Sequence, residues 1–381
     1  MNRAYRFSKK KKVLRPTVLF IFAFLVFSIF IYNYGKTFVQ ANSQQQVLSM
    51  KTVTTKHSPT PIPTSPTAKV SPTKTLNSHT VYLGMWTGGL WDDKSLSLHP
   101  EALTAVQNKI DKKVAIAHFY TGWSNLENPQ LISQLQTASN NGWRPMVSAN
   151  PYFFDRCQAN GKTLYQAISS GNCDDFIKSV GLSLKQYGKP IFLRFAWEMN
   201  IDSMDWSIQT TGSSPADYIN AWRRFHDIVS AQGATNVLWV FAPNTMSSSS
   251  IAYNLLYPGD SYVDWIGLDG YNWGTTQLWS SWESFAKTFQ ASYNSLTTIA
   301  PGKPLMLSEV NTTDVGGDKP FWYTDMLTQQ IPYNFPRISA VVFYNEDRTQ
   351  QEKVNWLIDS SPASLQAFIQ GISLPLYLSS F

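Results

Sequence analysis

Ile191 to Asn200 reads IFLRFAWEMN, an apolar, strand-like run that carries one arginine and ends beyond a glutamate. Alternation with period two puts Arg194, Ala196 and Glu198 on one face and Leu193, Phe195 and Trp197 on the other. The apolar face belongs under a layer of helices, which leaves Glu198 pointing into whatever space the strand ends enclose. Seven further runs accompany it, at 81–88, 113–120, 144–150, 236–242, 263–269, 303–308 and 338–344. Most are rich in Val, Ile, Leu and Phe, and several are almost continuously apolar, as parallel strands covered on both faces require.

The starts of the eight runs lie 27 to 47 residues apart, room each time for a crossover helix and its loops. Helical spacing with a polar face occurs over 129–141, 162–187, 214–232, 281–299 and 318–330. Eight strand-helix units in one stretch of this length predict an α/β fold, a (β/α)8 TIM barrel. A doubly wound open sheet is the alternative, and no glycine-rich dinucleotide fingerprint follows any run.

In such a barrel, polar side chains at the carboxyl ends of strands are site candidates, because the strand interiors are packed. VDWIGLDGYNW over 263–273 places Asp269 and Tyr271 on one face, KPLMLSEVN over 303–311 reaches Glu309, and ISAVVFYNED over 338–347 adds Glu346 and Asp347. Glu198 and Glu309, on the fourth and seventh strands, would lie across the barrel mouth from each other. Such a pair suits glycosidic hydrolysis, one carboxyl protonating the leaving oxygen and one carboxylate attacking the anomeric carbon. Sugar clefts need flat apolar platforms, and 14 Trp with 18 Tyr exceed ordinary core use. Trp123, Trp206 and Trp273 sit at or just beyond strand ends, where Trp123 and Trp273 serve equally well as helix-to-barrel packing. His118, following VAIA near the end of the second run, fits a core residue better than a ligand, with a substrate contact as the alternative. Asp269, Glu346 and Asp347 fit solvated or supporting roles better than catalysis.

Charge and export signals set the rest of the chain apart. Residues 1–80 hold 12 of the 31 Lys and Arg and no acid, leaving 19 basic against 25 acidic residues and a net −6 in 81–381. The basicity therefore belongs to a tail, which argues against a phosphate-backbone partner for the folded part. Seven basic residues within the first fifteen precede an uncharged apolar run from Val18 to Tyr32, the pattern of an export signal. Residues 1–41 are read as a signal peptide or signal anchor; Val39 and Ala41 offer a cleavage site, and the chain beyond should face outward, secreted or tethered to the outer face of the membrane. Ser, Thr, Pro, Gln and Lys dominate 42–79, too few large apolar groups to offset ordering, so a disordered linker is expected before a domain at 80–381. Cys157 and Cys173, an even count on one connection of an exported chain, predict a disulfide. No pair of His has metal-ligand spacing, so neither metal nor cofactor is expected.

KPIFLRFAWEMN with Trp206 following, VLWVFAPN, YPGDSYVDWIGLDGYN and KPLMLSEV together resemble glycoside hydrolase family 26, over most of 81–350. The resemblance implies a retaining β-glycanase on a (β/α)8 barrel, with Glu198 as acid/base, Glu309 as nucleophile, Tyr271 hydrogen-bonded to the nucleophile and Trp206 lining the sugar site. Arg194 matches an arginine that orients the carboxylates, and Trp197 and Asn200 flank the acid among the candidate substrate-binding residues. Where the family usually has His before the acid, Gly three after and Trp five after, this chain has Trp197, Ile201 and Ser203, which bears on substrate choice. The expected activity is endo-β-1,4-mannanase, with a mixed-linkage β-glucanase or β-xylanase as the alternative within the family. From another class, the module is a non-catalytic carbohydrate-binding or wall-associated protein. The partner is a β-linked polysaccharide, membrane contact is confined to the N-terminal segment, and a monomer is expected.

Overall fold

The structure is a computed structural model that describes residues 79–381. The export segment read over 1–41, and nearly all of the linker read over 42–79, lie outside the described residues. Eight strands follow one another: β1 (Val81–Thr87), β2 (Ile116–Gly122), β3 (Arg144–Asn150), β4 (Ile191–Phe195), β5 (Val237–Phe241), β6 (Trp265–Asn272), β7 (Leu305–Thr312) and β8 (Ile338–Asn345). Each pairs in parallel with the next, and β8 pairs with β1 from Tyr82 opposite Ala340 to Thr87 opposite Asn345, which closes the sheet into a barrel. A short final strand, Tyr377–Leu378, adds to the start of β1.

The outer layer consists of α1 (Pro100–Ile110), α2 (Pro129–Asn140), α3 (Asp174–Tyr187), α4 (Pro215–Ala231), α5 (Phe285–Ile299), α6 (Lys319–Asp325) and α7 (Pro362–Ile372). Their starts are written in the sequence. Ser214 caps α4 in a reciprocal box with Asp217, ahead of Pro215 in the first turn, and Ser361 with Pro362 does the same work for α7 without the box. Tyr218, Ala221, Trp222, Phe225 and Val229 form the buried stripe of α4, spaced three and four apart. The run 162–187 divides into a short helix at Leu164–Ser169 and α3, and α6 runs on as a π-helical stretch, Met326–Asn334. The expectation of eight strand-helix units needs one correction. Between β5 and β6, Tyr253–Leu255 and Asp260–Tyr262 form two 3-10 turns in place of a long helix. The serines at 247–250, together with Pro258 and Gly259 at φ 108°, leave no amphipathic stretch there for a longer helix.

Inside the barrel, Ile116, Met146, Phe192, Val240, Met306 and Val342 form an apolar plug. Above it, along the same inward faces, the side chains change character: Ser148 follows Met146, Arg194 follows Phe192 and Tyr344 follows Val342. Gly267 permits this layer to close, because a Cβ there would stand 2.5 Å from the Ser308 hydroxyl and 2.7 Å from Ala242 Cβ. The outer core between barrel and helices is larger, and its center includes Trp123, Phe176, Phe195, Trp222 and Phe225.

Candidate active site

Glu198 and Glu309 meet at the carboxyl end of the barrel with Asp269, and carboxylate oxygens of the three lie within 4.8 Å of one another. Two local distortions bring them there. At β4 the alternation stops after Phe195, and Ala196 and Glu198 take left-handed backbone conformations, φ 50° and 55°. Strained backbone of this kind concentrates where a side chain has to be re-aimed. The turn is held by a bond from Glu198 N–H to the Ala242 carbonyl, 2.8 Å long. Between β6 and β7 the register shifts after Leu268, so that Asp269 stands opposite Glu309. Ser308 then donates to Asp269 Oδ1 at 2.6 Å.

Arg194 supplies the positive charge. Its Nη1 donates to Glu309 Oε1 at 2.7 Å and to Ser148 Oγ at 2.8 Å, and its Nη2 to Asp269 Oδ2. Burial works against this charge, yet the carboxylates of Asp269 and Glu309 more than offset it and raise the guanidinium above its ordinary value. Three carboxyl groups face one guanidinium, so the cluster favors holding a proton, and Glu198 is placed to hold it. Its Oε1 accepts from the neutral amide of Asn244 at 2.5 Å. Burial first, and then the charge of Glu309, raise the Glu198 carboxyl to about 8, against opposing pulls from Asn244 and Arg194. Burial likewise pushes Asp269 well above the usual carboxylate range while Arg194 pulls it back. The same three carboxyls are the one cluster among the described residues that could hold a metal ion, but Arg194 already supplies the counter-charge to two of them.

Tyr271 donates its hydroxyl to Glu309 Oε2 at 2.7 Å. Burial and then the nearby Glu309 charge push this phenol far above its ordinary value, so it remains a donor. Both oxygens of Glu309 are thereby engaged, one by Arg194 and one by Tyr271.

The other sequence candidates divide by depth. Trp206 and Trp273 are half-buried at the mouth. Trp206 donates Nε1 to the Trp197 carbonyl at 2.6 Å, and the two rings lie 4.3 Å apart. Trp273 packs 6.2 Å from Tyr271. A second group supports the site from behind. His118 is fully buried, with Nε2 2.7 Å from Ser148 Oγ and 3.1 Å from Arg194 Nη1. Burial and the adjacent guanidinium hold its pKa well below the usual imidazole range, so it sits neutral beneath Arg194 and out of reach of substrate. Asn200 is also fully buried and clamps Asn244, accepting from its N–H at 2.8 Å and donating to its carbonyl at 3.0 Å. Glu346 accepts from Trp86 Nε1 and the Tyr344 hydroxyl, and exposed Asp347 accepts from Thr349 N–H.

Two expectations are corrected. Trp197 does not lie under helices: the left-handed turn on either side of it swings the ring inward, 5.6 Å from Tyr120 and onto the barrel plug. Trp123 has no exposed surface; its Nε1 donates to the Tyr152 carbonyl, and its ring packs on Phe154, Phe176, Phe195 and Phe225. It is a core residue, because the chain leaving β2 turns at once into a 3-10 helix, Trp123–Glu127, that faces the helical layer. Cys157 and Cys173 are paired in a disulfide.

Sequence reading missed Asn244, Tyr120 and Trp356. Asn244 lay in view as the last residue of VLWVFAPN, two beyond the apolar run. Its side-chain oxygen accepts from Thr245 at 3.0 Å, which fixes the amide nitrogen toward Glu198. Trp356 is buried 4.9 Å from the Tyr271 ring, on a loop after β8 that has no pattern of its own.

Residues 151–355 match glycosyl hydrolase family 26. Over 296 residues, 76% of this chain, the sequence is 32% identical to Endoglucanase H of Acetivibrio thermocellus, of which that stretch covers 31%. It is 23% identical over 170 residues to mannan endo-1,4-beta-mannosidase of Bacillus subtilis, covering 43% of this chain and 41% of that one. The matched stretches thus span less than half the length of either relative. Among solved structures, a GH26 beta-mannanase from Bacteroides ovatus shares the fold, with TM-score 0.56 and 17% identity over 79% of this chain and 90% of that one. Since the family match takes in more than half of the residues, and Glu198, Tyr271 and Glu309 all fall inside it, the chain belongs to glycosyl hydrolase family 26.

Proposed function

We propose that the chain hydrolyses internal β-linked glycosidic bonds of a polysaccharide with retention of configuration, and that a β-glucan is its substrate. The carrying observation is the approach of Glu198 and Glu309 oxygens to within 4.8 Å. Direct attack by a carboxylate goes with a pair about 5–5.5 Å apart, whereas a pair roughly 6.5–9.5 Å apart leaves room for an attacking water. In the first step Glu309 bonds to the anomeric carbon as the bond to the leaving oxygen breaks, and Glu198 gives that oxygen its proton. In the second, Glu198 takes a proton from water, whose oxygen attacks the anomeric carbon and releases Glu309. Arg194 and Tyr271 hold the two Glu309 oxygens in place for both steps.

The choice of β-glucan rests on the likeness to Endoglucanase H, the stronger of the two relatives reported above. Endo-β-1,4-mannanase is the second reading, supported by the mannosidase likeness. The basic residues and apolar run at the N-terminus support export, so that residues 80–381 would act outside the cell as a monomer, secreted or tethered through the linker of 42–79.

Reducing-sugar release from barley β-glucan, carboxymethyl cellulose, mannan and xylan tests substrate and class together. The expected result is shortening of a β-glucan, first product in the β-anomeric form by proton NMR, and loss of turnover in Glu309→Ala. Retention of polymer without shortening would make the module a binder. An α-anomeric first product, or near-normal turnover in Glu309→Ala, would remove the assignment of roles.

A further inference from the structure

The connection after β6, residues 273–284, carries an aromatic side chain that the site as described does not use. Trp279 is 73% exposed, and its neighbor Leu278 is fully exposed. Isolated apolar side chains on a surface need no explanation, but this one is not isolated. The Trp279 ring lies 5.5 Å from Trp273; Trp273 lies 5.0 Å from Trp356 and 6.2 Å from Tyr271; and Tyr271 holds Glu309. A continuous line of rings therefore leads from the proposed nucleophile out of the barrel mouth and ends in solvent.

The loop that carries Trp279 is also built to hold it. Thr276 Oγ1 donates to the Trp273 carbonyl at 2.7 Å, Ser280 Oγ to the Gly274 carbonyl at 2.8 Å, and Gln277 Nε2 to the Glu352 carbonyl at 2.6 Å. Thr275 N–H bonds the Val315 carbonyl at 3.1 Å. Gly274, at φ 53°, lets that strand of loop pass so close that a Cβ would stand 1.9 Å from the Val315 oxygen. A loop fixed in this way holds the backbone that carries the indole, so that less ordering of the loop opposes binding on the exposed ring.

We propose that Trp279 is a remote sugar-binding platform, on which a pyranose ring of the same polysaccharide chain stacks, two aromatic steps from the reacting center. The occupant is a sugar ring because the line of rings that ends at Trp279 begins at Tyr271, which holds the proposed nucleophile, and an exposed indole face matches the apolar face of a pyranose. The inference rests on the hydrolase reading above and extends it from the bond being cut to the length of chain that is gripped.

The test compares full-length wild type, Trp279→Ala and Trp279→Phe on polymeric β-glucan and on a short aryl β-glucoside. Trp279→Ala is expected to lower kcat/KM on the polymer about five- to tenfold, through KM, and by at least threefold more than on the short substrate. Trp279→Phe, which keeps a ring, should recover most of the loss. In the Glu309→Ala background, retardation in a β-glucan gel should weaken on addition of Trp279→Ala. A wild-type chain that cuts the polymer while Trp279→Ala matches it within twofold on both substrates overturns the platform and leaves the hydrolase reading intact. A wild-type chain that shortens no polysaccharide overturns both.

Discussion

Arg194 Nη1 donates to Glu309 Oε1 across 2.7 Å, from a side chain with no exposed surface to one almost as buried. The same guanidinium serves Asp269 through Nη2. A lysine at this position would keep the charge but lose the planar fork that reaches both carboxylates at once.

Replacing Arg194 by Met should therefore leave two buried carboxylates without a counter-charge, and the cost is expected to be about 3–5 kcal/mol of stability. Arg194→Lys should lose less, while both variants lose activity because Glu309 is no longer held. Urea unfolding monitored by tryptophan fluorescence checks the order wild type, Lys, Met. A Met variant as stable as wild type would show that the ion pair does not hold the barrel mouth together.

Trp123→Ala should behave differently. Its ring is surrounded by four phenylalanines with no route to the cleft, so truncation opens a core cavity at a cost of about 3–5 kcal/mol. Once correctly folded protein is counted by active-site titration, turnover per site should stay within about twofold of wild type. A selective rise in KM at unchanged stability would restore Trp123 to the substrate.

These two residues also show where sequence reading succeeds and where it stops. All eight strands of the barrel were legible, because burial on both faces forces continuous apolar runs. Glu198, Tyr271 and Glu309 were legible because they interrupt those runs at one end. Alternation puts Trp197 on the wrong face because it presumes a strand, and the backbone leaves the strand at Ala196 with a left-handed turn that no pattern announces. Periodicity alone does not mark the helices Pro100–Ile110 and Pro362–Ile372, although both start with Pro in the first turn. Trp279 was hidden for another reason: exposure is a property of the folded loop, and a tryptophan between Leu278 and Ser280 reads in sequence like any core residue.

Cys157 and Cys173, 16 residues apart, close a short loop on the connection between β3 and α3. By the chain-entropy argument a loop of that size is worth roughly 3 kcal/mol. The double variant Cys157→Ala with Cys173→Ala should unfold at correspondingly lower urea, and peptide mapping of the unreduced protein should show the two cysteines linked. Two free thiols in the unreduced protein, or a double variant with unchanged midpoint, would contradict the pairing.

The proposed acid, Glu198, acts in its protonated form, and burial together with the Glu309 charge raises it to about 8. The alkaline limb of kcat/KM should therefore fall near pH 8. Asn244 opposes this rise, since its amide donates to the charged carboxylate. Asn244→Ala removes a partner of the charged form, so the alkaline limb should move to higher pH while the maximal rate drops as Glu198 loses its orientation. Stability is linked to the same proton. The folded pKa lies above the unfolded value, so the folded state binds more protons between roughly pH 4.5 and 8; this contribution is complete below that window and is lost as pH rises through 8. Glu198→Gln cannot acquire the buried charge, and its stability should fall less than that of wild type across that window. Thermal melts of both proteins from pH 5 to 9, set beside the kinetic profiles, check the two expectations independently. Parallel melting curves, with an alkaline limb that Asn244→Ala leaves in place, would remove Glu198 as the group whose proton controls turnover.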